Sequence, residues 1–150
     1  MDYLTDATKN TILNSAENGL ITSKRISELG IYRAALTELV NSGDIIQSSR
    51  GIYIRADEWE DEYCLLQTKY ARGIFSHATA LYLHGYSERV PLTFHMTFPY
   101  GYNSPSIKKE NVRLTRVVPE NYELGVTELK TPYGNTVRAY DLERSLCDIL

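Results

Sequence analysis

The stretch from Ile21 to Arg55, ITSKRISELGIYRAALTELVNSGDIIQSSRGIYIR, narrows the fold more than any other part of the chain. Apolar residues recur first at helical spacing and then switch to alternation. Thr22 is an N-cap, because its hydroxyl can accept from an otherwise orphaned amide. A short helix from Ser23 to Leu29 follows, with Ile26 and Leu29 inward; Gly30 ends it and Ile31 plugs the turn. A second helix from about Tyr32 to Asn41 places Tyr32, Leu36, Leu39 and Val40 on one stripe. Ile45, Ile46 and Gln47 read as one strand and Ile52, Tyr53 and Ile54 as another, joined by Ser48, Ser49, Arg50 and Gly51.

Upstream, residues 5 to 17 read as a helix with Ala7, Ile12, Leu13 and Ala16 on one face and Gly19 as its stop. Leu20 and Ile21 form a short extended link. Helix, short helix, turn, helix and hairpin is the order of a winged helix-turn-helix, whose later helix enters the DNA major groove. The outer face of that helix carries Ala34, Thr37, Glu38 and Asn41, with Arg33 at its border. Such a face allows close approach and offers donors to base edges and phosphates. Arg50, at the hairpin tip, is placed for neighbouring phosphates or a narrow minor groove. The expected DNA contacts are therefore Arg33, Thr37 and Asn41 in the groove, Lys24 and Arg25 on phosphates at the start of the short helix, and Arg50, Ser48 and Ser49 from the wing. The bland reading is a solvated helix face and a hairpin that only covers the core.

Charge is consistent with a local contact. The 150-residue chain has a net charge of −3, so it does not coat nucleic acid by bulk charge. Between Thr22 and Arg55, Lys24, Arg25, Arg33, Arg50 and Arg55 face Glu28, Glu38 and Asp44, a net of +2 that leaves −5 for the remainder. A basic island on an acidic body suits a specific anion contact. The composition is that of a soluble globular protein, with no apolar run of membrane-spanning length. The opening MDYLTDATKN is not a secretory signal. Cys64 and Cys147 read as buried free thiols of a reducing compartment, so the expected location is cytoplasmic.

The rest of the chain reads as a mixed α/β region with a small antiparallel sheet. Residues 58 to 72 form a helix with Trp59, Tyr63, Leu66 and Tyr70 on a core stripe and a solvated acidic start at Glu58, Glu60 and Asp61. Ser76 caps a helix to His84, closed by Gly85. Val90, Leu92, Phe94, Met96 and Phe98 alternate with polar residues, the pattern of a half-exposed antiparallel strand with His95 solvated. Lys108, Lys109, Arg113 and Arg116 offer a possible second basic surface, although Arg113 and Arg116 point to opposite sides of a strand from Val112 to Val118. TELKTPYGNTVRAYD, residues 127 to 141, reads as strand, turn at Pro132-Tyr133-Gly134-Asn135, and strand; Asp141 then caps a last amphipathic helix with Leu142, Leu146 and Ile149.

No nucleotide-binding or hydrolytic motif appears, and no cysteine has a plausible histidine partner. His77 and His84 lie two turns apart, roughly 10 Å along a helix axis. That is too far for one zinc, whose ligand atoms sit about 2 Å from the metal. The expectation is no enzyme, no metal and no cofactor.

The pattern of a Thr-capped short helix, ELGI, a helix ending in L-V-x-x-G and a wing closing on RGIY resembles the N-terminal winged helix of the AbiEi antitoxins of type IV (abortive-infection) toxin–antitoxin systems. IFSHATALYLHGYSERVPLTFHMTFPYGYNSP and TPYGNTVRAYDLERSLCDIL resemble the segment joined to it in that family. The resemblance implies a winged helix-turn-helix over 1–57, a connecting helix over 58–73 and an α+β antitoxin-type domain over 74–150 that runs on beyond Leu150 in the family. It further implies a repressor of its own operon, binding double-stranded promoter DNA. The same resemblance implies an antitoxin against a nucleotidyltransferase-like toxin, with no stable complex between the two. Oligomeric state stays open between a monomer and an operator-dependent dimer. Two alternatives stand beside this reading: a winged-helix regulator with a ligand- or protein-sensing second domain and no toxin, and an enzyme with a DNA-targeting module.

Overall fold

Thr5 opens the first helix, its hydroxyl accepting from the Thr8 amide at 3.1 Å. From there the computed structural model describes residues 5–150, in two units divided between Asp61 and Glu62. The first unit contains α1 (Asp6–Asn14), β1 (Leu20–Thr22), α2 (Ser23–Glu28), α3 (Ala34–Ser42), β2 (Ile45–Ser49) and β3 (Ile52–Arg55). α1 stops earlier than expected because the Ser15 hydroxyl takes the Ile12 carbonyl at 2.6 Å. Thr22 caps α2 as the sequence indicates, and Gly43, at φ +84°, closes α3. The strands form an antiparallel sheet in the order β1-β3-β2. Ile12, Ile21, Ile26, Ala35, Leu36, Leu39 and Ile45 make its core. Tyr32 is not part of that core: it precedes α3 in the turn and is 76% exposed.

The second unit contains α4 (Glu62–Lys69), β4 (Ile74–Phe75), α5 (His77–Leu83), β5 (Phe94–Pro99), a 3-10 turn at Pro105–Lys109, β6 (Val112–Val117), α6 (Pro119–Tyr122), β7 (Val126–Lys130), β8 (Thr136–Tyr140) and α7 (Leu142–Ile149). Its five-stranded sheet runs β6-β5-β4-β8-β7. β5–β6 and β4–β8 are parallel and the other pairs antiparallel, so the sheet is mixed rather than antiparallel. The chain as described is a mixed α+β protein.

Several expectations for residues 58 onward need correction. α4 starts at Glu62, not at residue 58. The preceding residues turn to local contacts instead: Glu58 N–H donates to the Arg55 carbonyl at 3.1 Å, and the Ser48 hydroxyl donates to the Glu60 carboxylate. Trp59 is accordingly 85% exposed rather than core, and Asp61 is buried rather than solvated. β5 starts only at Phe94, because Pro91 has no amide for a ladder; Val90 and Leu92 are exposed. β5 is a central strand with a partner on each side, so His95 is not a solvated residue on an open face. Ser76 sits at the N-cap of α5, but its hydroxyl makes no cap bond. Cys64 is buried, whereas Cys147 is exposed; neither is in a disulfide among the described residues.

The two faces of the sheet differ in chemistry. On one, the Tyr63 ring of α4 meets Phe94 and Phe75 edge-on at 5.0 and 5.5 Å. Gly73 is packed so tightly there that an added Cβ would lie 2.5 Å from Met96 Cε and 2.8 Å from Phe98 Cζ. The other carries His95 and Thr97, met by Ser76, His77 and Thr79 at the start of α5. α7 turns Ser145 inward and leaves Leu146 and Ile149 exposed, the reverse of an ordinary amphipathic helix. Arg144 holds that orientation: it pairs with Asp148 at 3.0 Å and donates to the carbonyls of Asn121 and Leu124. No helix among the described residues is long and apolar enough to cross a membrane.

Candidate nucleic-acid interface

A tie between the hairpin and α2 organises the exposed polar surface of the first unit. The Ser23 amide, in the first turn of α2, donates to the Gly51 carbonyl at 2.9 Å. Gly51 has φ +73°, and a Cβ there would stand 2.9 Å from Ser23 Oγ, so the turn needs glycine at this position. The register slips between Gln47 and Ser49, which makes Ser48 the extra residue of a bulge. The tip reduces to Arg50 and Gly51, shorter than the four-residue turn expected. Arg50 is exposed and makes no ion pair among the described residues.

Each residue expected at a DNA surface has a defined place. Arg33, Thr37 and Asn41, spaced i, i+4 and i+8, are all exposed on α3 or at its N-cap. Arg33 Nε reaches Ser27 Oγ at 3.5 Å, so its guanidinium lies back toward α2. Lys24 is exposed and unpaired among the described residues; Arg25 is exposed and pairs with Glu28 at 3.4 Å. Ser49 is half-buried, and the Ser48 hydroxyl is engaged by Glu60. Elsewhere in the unit Lys9 meets Asp44 at 3.0 Å, and the Ser42 hydroxyl, with Lys9, holds the Asp44 carboxyl below its usual range.

Lys108, Lys109, Arg113 and Arg116 each have a defined setting. Lys108 and Lys109 end the 3-10 turn; Arg116 Nε donates to the Tyr102 carbonyl at 3.0 Å; Arg113 stands opposite His95 in the β5–β6 pair. What gathers around Arg113 is a cluster the sequence reading missed. His77 and His95 are stacked, with centroids 3.7 Å apart and planes within 3°. His77 Nδ1 meets Ser76 Oγ at 3.0 Å, and His95 Nε2 meets Thr115 Oγ1 at 2.7 Å. Thr97 donates to the fully buried Ser76 hydroxyl at 2.8 Å. His77 holds φ +54°, a left-handed conformation rare for a residue with a Cβ. Burial, then His77 and Arg113, push the His95 imidazole down to about 4. Burial also lowers His77; Asp148 opposes this, and Arg113 and Arg144 add to it. The signal available in sequence was the polar run of Ser76, His77 and Thr79 at a helix start, but pairing it with His95 needed the topology. His84 is separate, its Nε2 meeting the Tyr140 carbonyl at 3.0 Å. Tyr140 itself is pushed up to about 12 by burial.

Residues 11–56 match a family model described as transcriptional regulator, AbiEi antitoxin, so the resemblance carried by the Thr-capped helix and RGIY holds over this span. No curated protein matches the chain. Among solved structures, the chain is similar to the crystal structure of the RV2827C protein from Mycobacterium tuberculosis, with a TM-score of 0.54 and 19% sequence identity. The likeness covers 77% of this chain and 45% of that one, and it is a likeness of fold.

Proposed function

We propose that this chain is a DNA-binding transcriptional regulator and antitoxin of the AbiEi type. On this reading the first unit is a winged helix-turn-helix that represses the chain's own promoter. The observation that carries it is the exposed stripe of Arg33, Thr37 and Asn41 on α3 and its N-cap, with Arg50, unpaired among the described residues, on a tip tied to the start of α2, all inside the span of the family match. α3 enters the major groove and its stripe reads base edges. Lys24, Arg25 and Arg50 hold phosphates and set the register of α3 on the duplex. The chain works as a regulator and not as an enzyme. It counters a nucleotidyltransferase-like toxin without forming a stable complex, and the cytoplasm is where it acts.

A promoter–reporter assay tests this reading. The chain is expected to repress a reporter driven by its own promoter, and Arg33→Ala to relieve that repression at unchanged protein level. Equal repression by wild type and variant would count against the assignment. Co-expression should restore growth to cells making the toxin, while the two proteins fail to co-purify. A second reading, a regulator whose second unit senses a ligand, is favoured by the polar cluster at His77 and His95.

A further inference from the structure

A sheet face covered by helices is ordinarily apolar, and buried polar groups are the informative exception. Here Ser76, Thr79 and Thr97 are buried under α5, and two imidazoles stack beside them. From this geometry we propose that His77, His95, Thr115 and Arg113 bind a phosphate group.

The parallel register of β5 and β6 sets the site. His95 stands opposite Arg113, and Thr97 opposite Thr115, so these four side chains share one face of the pair. α5 brings His77 over His95, held there by a left-handed backbone and by Ser76 Oγ. Backbone strain of this kind persists where surrounding structure fixes a side chain for use. Each ring has one nitrogen committed, His77 Nδ1 to Ser76 and His95 Nε2 to Thr115. His77 Nε2 and His95 Nδ1 have no partner among the described residues, and both rings are only half-buried. Arg113 is exposed and unpaired among the described residues.

The charges that face the two rings fix the sign of the ligand. β6 contributes Arg113; α7 contributes Arg144 and Asp148, which pair with each other at 3.0 Å and largely cancel. The guanidinium is left as the uncompensated charge, and it adds to burial, the larger cause, in lowering both imidazoles. An anion there offsets the guanidinium and lets an imidazole take up a proton, so binding and protonation support each other. The oxygens of a phosphate can accept from the guanidinium fork, from an imidazole N–H and from the Thr115 hydroxyl together; a carboxylate has only two oxygens. The phosphate has two possible sources, a monoester on a free nucleotide or the diester backbone of a nucleic acid. The proposal concerns the second unit and does not rest on DNA binding by the first.

The test follows the histidine ring signals of the full chain by NMR while inorganic phosphate is added at constant ionic strength. The expected result is joint, saturable movement of the His77 and His95 signals with His84 unmoved, and a rise of about one pH unit or more in their titration midpoints. Arg113→Gln is expected to weaken binding about tenfold without moving the thermal midpoint. His95→Gln, which can retain the bond to Thr115, serves as a second variant and should also weaken binding. A 5′-mononucleotide and a short single-stranded oligonucleotide lacking a terminal phosphate then separate the sources: tighter binding of the first assigns a monoester, tighter binding of the second the backbone. Unmoved signals, equal movement with acetate, or an unchanged response in Arg113→Gln would overturn the proposal.

Discussion

The centre of the first unit is hydrocarbon throughout, from Ile12 to Ile45, and its polar side chains of interest stand outside. The second unit buries Ser76, Thr79, Thr97 and Ser145 and keeps two half-buried imidazoles against them. The contrast separates two ways of placing chemistry on a fold. In the first unit, stability and surface chemistry belong to different residues, so either can be altered alone. In the second, the polar groups belong to the packing itself, and a change in protonation changes stability.

A graded set of variants and conditions presses on this contrast. Leu36→Ala removes fully buried hydrocarbon from the first core and is expected to cost about 2–5 kcal/mol, read by chemical denaturation. Gly73→Ala drives a methyl into Met96 and Phe98 and should cost about 1–3 kcal/mol; a neutral outcome would show that these rings have room to move. Acidification comes third. His95 titrates near 4 when folded and near 6.5 when unfolded, so the unfolded chain binds more protons between those values. Stability is whole above 6.5 and falls as pH drops toward 4, by about 1 kcal/mol at pH 5 once partial exposure is allowed for. His95→Gln should flatten that dependence; an equally steep profile in the variant would place the pH sensitivity elsewhere. Arg33→Ala and Arg50→Ala are last, expected to change stability by less than about 0.5 kcal/mol, since both side chains are exposed.

Legibility follows the same divide. Thr22 as a cap, Leu36 and Leu39 as core, Gly43 as a stop and the switch to alternation at Ile45 were readable because each rests on neighbours within a few residues. Tyr32 misled because its spacing fits the apolar stripe of α3, yet the helix starts two residues later. In the second unit the turn at 132–135 and the Asp141 cap were equally local; the Asp141 carboxylate accepts from the Arg144 amide at 2.8 Å. Trp59 failed because the helical pattern was extended across residues that spend their polar groups on Arg55 and Ser48 instead. His95 failed for a different reason. Alternation says which residues share a face, not what covers it, and α5 covers that face from nearly twenty positions upstream. Parallel pairing of β5 with β6 brought Arg113 to His95, and no spacing in the chain announces a parallel register.

The central claim is that the exposed stripe of α3 and the tip at Arg50 read DNA. A salt-dependent anisotropy titration tests it most directly, with the full chain against its own promoter duplex and an unrelated duplex of equal length. The account predicts tighter binding to the promoter that weakens steeply with salt. Arg50→Ala should lower affinity for both duplexes and flatten the salt slope by about one, and Arg33→Ala should narrow the difference between the duplexes. Equal, feeble binding to both duplexes, or promoter binding untouched by either substitution, would contradict it.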